Sequence, residues 1–220
     1  MYLKKNAAIF VRESFHKLLY IYDSIVVKFV KRKDGVDFRK NVLPENLGED
    51  YDYDKFVHYV PSRSWQIKKV IKILKITEND SIIDIGCGKG KAIYDFSNYK
   101  FKHIGGLELN EELAGIAKEN MKILNLPDVE IYRDNALNFN NYDKYNHFYF
   151  YDPFNFEIFK TVIHNILENY KKKPREITVI YQHVRDHDKV LNEIDGFEMY
   201  RSYRNPVRII IYKYNPSRKG

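Results

Sequence analysis

The stretch Asp84-Ile85-Gly86-Cys87-Gly88-Lys89-Gly90 places an acid two residues ahead of alternating glycines, directly after the apolar pair Ile82-Ile83. Glycines at this spacing let the backbone turn sharply, adopt positive φ and approach a ligand closely, as in the first strand-to-helix turn of a nucleoside-binding sheet. The dinucleotide fingerprint G-x-G-x-x-G would need a glycine at position 91, where the chain has Lys91. Asp84 would also repel a pyrophosphate; it suits a ligand with a cationic amine and no phosphate. A second acid, Glu108, closes an apolar run over 103–109 in the string Leu107-Glu108-Leu109-Asn110. It follows the glycine turn at close to the ~20-residue spacing at which a strand-end carboxylate accepts both ribose hydroxyls. Two further polar groups end later apolar runs: Asp134-Asn135-Ala136 and Asp152-Pro153-Phe154. His183 follows one more, and an imidazole with an ordinary pKa near ~6.5 has the chemistry of a general base.

Taken in this order, these groups resemble the class I S-adenosylmethionine-dependent methyltransferases over roughly residues 56–214. The resemblance implies S-adenosylmethionine as cofactor, held by Asp84, Gly86, Cys87, Gly88 and Gly90 of the turn and by Glu108, Leu109 and Asn110. It also implies that Asp134, Asn135 and Ala136 lie at the adenine. The family usually carries Asp-Ala there; here Asn135 precedes Ala136, and its carboxamide can still accept from the adenine amino group. Whether Asp134 or Asn135 makes that contact stays open. Asp-Pro-Phe resembles the [Asn/Asp/Ser]-Pro-Pro-[Tyr/Phe] element of amino-group methyltransferases. By that likeness Asp152 orients an amine, the Pro153 region accepts its N–H groups and Phe154 forms the floor. The second proline is absent, which weighs against a nucleobase acceptor. The alternative for Asp152 is a cap on the helix that follows. Tyr59-Val60-Pro61-Ser62 is similar to a Tyr-x-Pro-[Ser/Thr] lead-in of a group of bacterial proteins ending in Asn/Asp-Pro-Phe, which makes Tyr59 a candidate cofactor or substrate contact. The alternative is that Tyr59 and Trp65 pack the helix, which Ser62 or Ser64 would cap.

The elements that must position these residues alternate. Apolar runs predict strands over 81–86, 103–109, 129–133, 147–152, 176–182, 197–203 and 207–214. Helical patterns fall over 91–98, 111–124, 155–170 and 186–194. Alternating strands and helices predict an α/β fold: a seven-stranded, mostly parallel sheet with helices on both faces and right-handed crossovers. Asn205-Pro206 marks a reversal, so the last two strands form a C-terminal antiparallel hairpin. Ligands gather at the carboxyl ends of such strands, which puts Gly86, Glu108, Asp134, Asp152 and His183 on one rim.

Composition sets the outer limits. The length suits one domain, 56–220, preceded by an N-terminal helical extension and connecting loop over 1–55. The single cysteine, Cys87, excludes an internal disulfide; between two glycines it reads as a small tolerated residue rather than a reactive thiol. Histidines lack metal-ligand spacing, and no apolar run reaches the ~20 residues of a membrane span, so a cytoplasmic location is expected. The net charge of +7 is concentrated in residues 1–40, which carry ten basic and four acidic side chains. Apolar residues at helical spacing over 7–30 predict amphipathic helices there. Three uses compete for them: packing on the catalytic domain or a second copy, holding an anionic partner such as nucleic acid, or lying on a membrane surface. The expected function is methyl transfer to an amine of an unidentified acceptor. The alternatives are an O-methyltransferase with His183 as base, and a non-catalytic nucleoside- or nucleic-acid-binding module.

Overall fold

The computed structural model describes residues 35–38, 60–184, 186–204 and 207–216. The amphipathic segment 7–30, Tyr59 and the turn at 205–206 lie outside them. The chain first forms helix α1 (Ser64–Leu74), then β1 (Ser81–Ile85), α2 (Lys91–Phe96), β2 (His103–Glu108), α3 (Glu111–Ile123) and β3 (Val129–Arg133). A short 3-10 turn, Asn141–Lys144, leads to β4 (His147–Tyr151), α4 (Phe156–Lys172), β5 (Ile177–Gln182), α5 (Asp188–Glu193), β6 (Phe197–Arg204) and β7 (Arg208–Tyr214). The strands and helices expected between residues 81 and 214 are all present within a few residues of their predicted ends.

One sheet of seven strands results, in the order β3-β2-β1-β4-β5-β7-β6. The first five pair in parallel; β7 runs antiparallel to both β5 and β6. The period of two along a strand explains the layers. Ile83, Ile85, Phe148 and Phe150 join one core with Phe159, Val162, Ile163 and Ile166 of α4. Ile82 and Tyr149, one residue out of phase, join a second core with Ile67 and Val70 of α1 and Ile93 of α2. Because both faces are covered, β1, β4 and β5 read as continuous apolar runs rather than as alternations. Val36 and Phe38, from the predicted extension, are buried in the second of these cores.

Helix α4 is capped by Asn155, whose side chain accepts from Ile158 N. The capping alternative for Asp152 is thereby overturned: a better cap stands three residues later, at the position where the chain enters the helix. The serine caps expected for α1 are also corrected. Its N-cap is Arg63, without a side-chain cap hydrogen bond. Ser64 instead begins the helix, one position past the cap, and donates its hydroxyl to Asp95 Oδ1 at 2.9 Å.

Candidate active site

The carboxyl ends of β1 to β4 open into a cavity of about 380 Å³. Its lining includes most of the residues singled out above: Asp84, Gly86, Cys87, Gly88, Glu108, Leu109, Asn110, Asp134, Asn135, Ala136, Asp152, Pro153 and Phe154. Parallel register brings them together. Asp84 stands opposite Gly106 of β2 and Tyr149 of β4, so the ends of the strands are level. Gly90 is not part of the lining; it is the N-cap of α2, with φ +81°. His183 also lies outside the lining, at the rim.

The glycine turn is tied to the second strand. Gly86 N and Cys87 N donate to Leu107 O at 2.8 and 3.1 Å. Glu108 accepts from Gly88 N through one oxygen at 2.8 Å and from Asn110 N through the other at 2.9 Å. Burial raises the Glu108 carboxyl above its ordinary pKa, opposed by N–H groups of Asn110, Gly88 and Leu109. At Gly86 the backbone has φ +81°, and a Cβ would overlap Pro153. That contact couples the glycine turn to the Asp-Pro-Phe turn. Gly86→Ala is therefore expected to cost on the order of 3 kcal/mol, from left-handed backbone strain plus overpacking, measured by denaturant unfolding. A loss under about 1 kcal/mol would show that the two turns separate readily.

Asp84 is 3% exposed and its Oδ1 has no hydrogen-bond partner among the described residues. Burial first, and the Glu108 carboxylate second, push its carboxyl well above the usual range. Cys87 is buried, and burial with the two neighbouring carboxylates pushes its thiol up as well. Such a thiol is inert, in agreement with its reading as a small residue.

Asn135 Oδ1 accepts from Leu137 N at 2.9 Å, and Asp134 Oδ1 accepts from Asn135 N at 2.7 Å. Both acids and amides at this turn are thus partly committed to shaping the loop. Two predicted site residues 31 positions apart meet directly. His183 Nδ1 lies 2.9 Å from Asp152 Oδ2, and Tyr181 donates its hydroxyl to Asp152 Oδ1 at 3.3 Å. The Asp152 side chain is 3% exposed and that of His183 49%. Both residues have left-handed backbones, φ +47° and +67°. The other non-glycine residues with positive φ in the described chain are Lys75 and Asn125, just past the ends of α1 and α3, where such a conformation is ordinary. His187 is buried, with Nε2 3.2 Å from the Phe154 carbonyl, so it steadies the floor of the site.

Ser62, read as a cap and as part of the Tyr-x-Pro-Ser lead-in, and Lys91, which stands where a dinucleotide fingerprint would need a glycine, also line the cavity. Ser62 Oγ is buried without a partner among the described residues. Lys91 Nζ donates to Ser64 Oγ at 2.8 Å and to Asp95 Oδ2 at 2.7 Å. The four-residue step from Lys91 to Asp95 was a legible signal; Ser62 was marked only as a cap and as part of the Tyr-x-Pro-Ser lead-in.

Comparison with known proteins gives a consistent result. The methyltransferase domain family matches residues 76–218. A protein-lysine N-methyltransferase of Saccharolobus islandicus is 30% identical over 71 residues, covering 32% of this chain and 44% of that protein. A probable cobalt-precorrin-6B C(15)-methyltransferase (decarboxylating) of Methanobrevibacter smithii is 32% identical over 82 residues, covering 36% and 43%. The matched part thus spans under half the length of these curated relatives. An RNA methyltransferase of Salinibacter ruber, solved with S-adenosyl-L-homocysteine, shares the fold with a TM-score of 0.57 at 13% identity, over 73% of this chain and 97% of that one.

Proposed function

This chain belongs to the methyltransferase domain family, and from that membership we propose that it transfers a methyl group from S-adenosylmethionine to an amine nitrogen. The observation that carries the acceptor half is the Asp152–His183 pair. Two residues at the ends of adjacent strands both hold a left-handed backbone and meet at 2.9 Å. Such a conformation costs on the order of 1–3 kcal/mol per residue, and the pairing at the cavity rim supplies a reason for both.

The cavity fits the cofactor. Asp84 has a buried carboxylate oxygen without a partner among the described residues, the group that a methionine ammonium would satisfy. Glu108 lines the cavity and can still accept from a ribose hydroxyl beside the N–H groups of Gly88, Asn110 and Leu109. Leu109 and Leu137, both exposed apolar side chains of the lining, offer surface for a purine. Bound, the cofactor supplies a methyl group made electrophilic by its sulfonium. The chain then has two tasks. It must aim an acceptor lone pair at that carbon, which is mainly positioning, and it must remove a proton. Phe154 and Pro153 form the wall against which the acceptor rests. His183 Nε2 takes the proton while Nδ1 faces Asp152, and the Asp152 carboxylate stabilises the imidazolium that results.

One observation favours a second reading, with a hydroxyl acceptor. Both Asp152 oxygens are engaged, by Tyr181 and by His183. This leaves the carboxylate to orient the imidazole base, which a hydroxyl acceptor needs more than a neutral amine, whose lone pair can attack before its proton leaves. A panel of amine and phenol acceptors with a labelled methyl donor separates the two. Transfer to phenols alone would replace the amine reading.

Calorimetric titration with S-adenosylhomocysteine tests the cofactor. Wild type should bind it and not NAD, and Glu108→Ala should bind on the order of 100-fold more weakly, since charged hydrogen bonding to the ribose is lost. Binding of NAD alone would overturn the assignment. Binding without transfer to any acceptor would favour the non-catalytic module. The basic side chains of residues 1–40 are proposed to hold an anionic partner.

A further inference from the structure

We propose that Asn120 is a positioning residue for the cofactor turn, and that the segment 35–38 is thereby part of the cofactor site although it precedes the methyltransferase match. The proposal rests on the cofactor reading above.

The glycine turn needs external support. Gly86, Gly88 and Gly90 all have left-handed backbones, at φ +81°, +53° and +81°, and glycines lose more conformational freedom on ordering than other residues. On its inner side the turn is held by Leu107 O and by Glu108. On its outer side it is held through Lys89. The Asn120 side chain donates to Lys89 O at 3.0 Å, and Lys89 Nζ donates to Asp37 Oδ2 at 2.8 Å. Asn120 also reads the backbone of Asp37 in both directions: its Oδ1 accepts from Asp37 N at 2.9 Å and its amide donates to Asp37 O at 3.0 Å. One buried carboxamide therefore joins the strap to the turn. Lys89 and Asn120 are each 1% exposed. Val36 and Phe38, on either side of Asp37, anchor the strap in the core, and Phe38 packs its ring 5.7 Å from that of Tyr94 on α2.

Asn120, Asp37 and Lys89 are all outside the cavity lining, so they act on a ligand through the turn alone. The outer tie fixes Lys89, and its neighbour Gly88 then directs its N–H to Glu108 at 2.8 Å. Loss of the tie releases the residue between two glycines. The carboxylate expected to hold the ribose then loses one of the donors that orient it.

The test compares Asn120→Ala with Leu167→Ala, a core truncation in α4 on the opposite face of the sheet, at a temperature where both are fully folded. S-adenosylhomocysteine affinity is measured by calorimetry, and exchange of the Gly88 amide by NMR. Asn120→Ala should weaken binding about ten-fold or more, the size of one to two lost hydrogen bonds in a buried network, and speed Gly88 exchange. Leu167→Ala should leave both close to wild type. Equal weakening in the two variants, or unchanged binding in Asn120→Ala, would overturn the proposal. Should Asn120→Ala fail to fold, Asp37→Asn keeps the backbone contacts and removes only the charge opposite Lys89. It should weaken binding about five-fold, and unchanged affinity would count against the proposal. If wild type itself binds no S-adenosylhomocysteine, the cofactor reading fails; Gly88 exchange in Asn120→Ala then still decides whether the tie orders the turn.

Discussion

Asp152→Ala should lower turnover by about 10³-fold while leaving S-adenosylhomocysteine affinity within about two-fold of wild type, because positioned acid–base groups act on the transition state rather than on cofactor binding. The carboxylate is buried, and its bonds go to Tyr181 and His183. Removing it leaves the imidazole without the group that fixes its orientation and stabilises its charged form. Alanine is also poorly suited to φ +47°, so Asp152→Asn is the cleaner probe: asparagine tolerates the left-handed backbone and removes only the charge. It should retain the fold and lose about 10²-fold in turnover. His183→Ala should fall by a similar factor. The double variant should be little worse than Asp152→Ala, since residues acting as one unit are not additive. Full activity in Asp152→Asn would remove the pair from the mechanism. Additive losses would mean that the two side chains serve separate steps.

Asp84→Asn should make the ligand-free protein less sensitive to rising pH and bind S-adenosylhomocysteine about 10- to 100-fold more weakly at neutral pH, the worth of a hydrogen bond to a charged group. The sign follows from the buried carboxyl. Its folded pKa lies well above 3.8, raised by burial and then by Glu108. Between that ordinary value and the raised one, the folded state keeps a proton that the unfolded chain has lost. Stability of the ligand-free protein therefore falls as pH climbs through this window. The raised Glu108 carboxyl contributes a slope of the same sign. An ammonium beside Asp84 favours the ionised form, so binding releases a proton and cofactor affinity rises with pH over the same window. Asparagine has no proton to release. Its melting temperature should vary less with pH, and its weaker binding should lose this part of the pH dependence. Stability that rises with pH in wild type, relative to Asp84→Asn, would contradict the burial of an uncompensated acid.

The parts of the site most legible in the sequence are those made by contiguous residues. Asp84 to Gly90 carries its turn chemistry locally, and Glu108 is identified by its distance along the chain. Asn155 was hidden for the opposite reason. It sits one residue before an apolar helical pattern, but Asp152 also stood near that boundary, and sequence alone gave no reason to prefer the later residue. That the Ser62 hydroxyl has no partner among the described residues left no signal, because it is a fact about its surroundings. The strap at 35–38 was assigned to a connecting region because Asp34-Gly35 is a turn signal. Its contact with Asn120 spans 83 residues, beyond any periodic pattern.

The sequence by itself determined the alternation of strands and helices, the two-faced burial of the central strands and the acid-glycine turn, because each follows from short-range periodicity and local backbone freedom. Only the tertiary structure decided that β7 inserts between β5 and β6, that Pro153 closes against Gly86, and that Asp152 meets His183. These contacts join residues on different strands, and strand order and register, set by the packing of the whole sheet, bring them together.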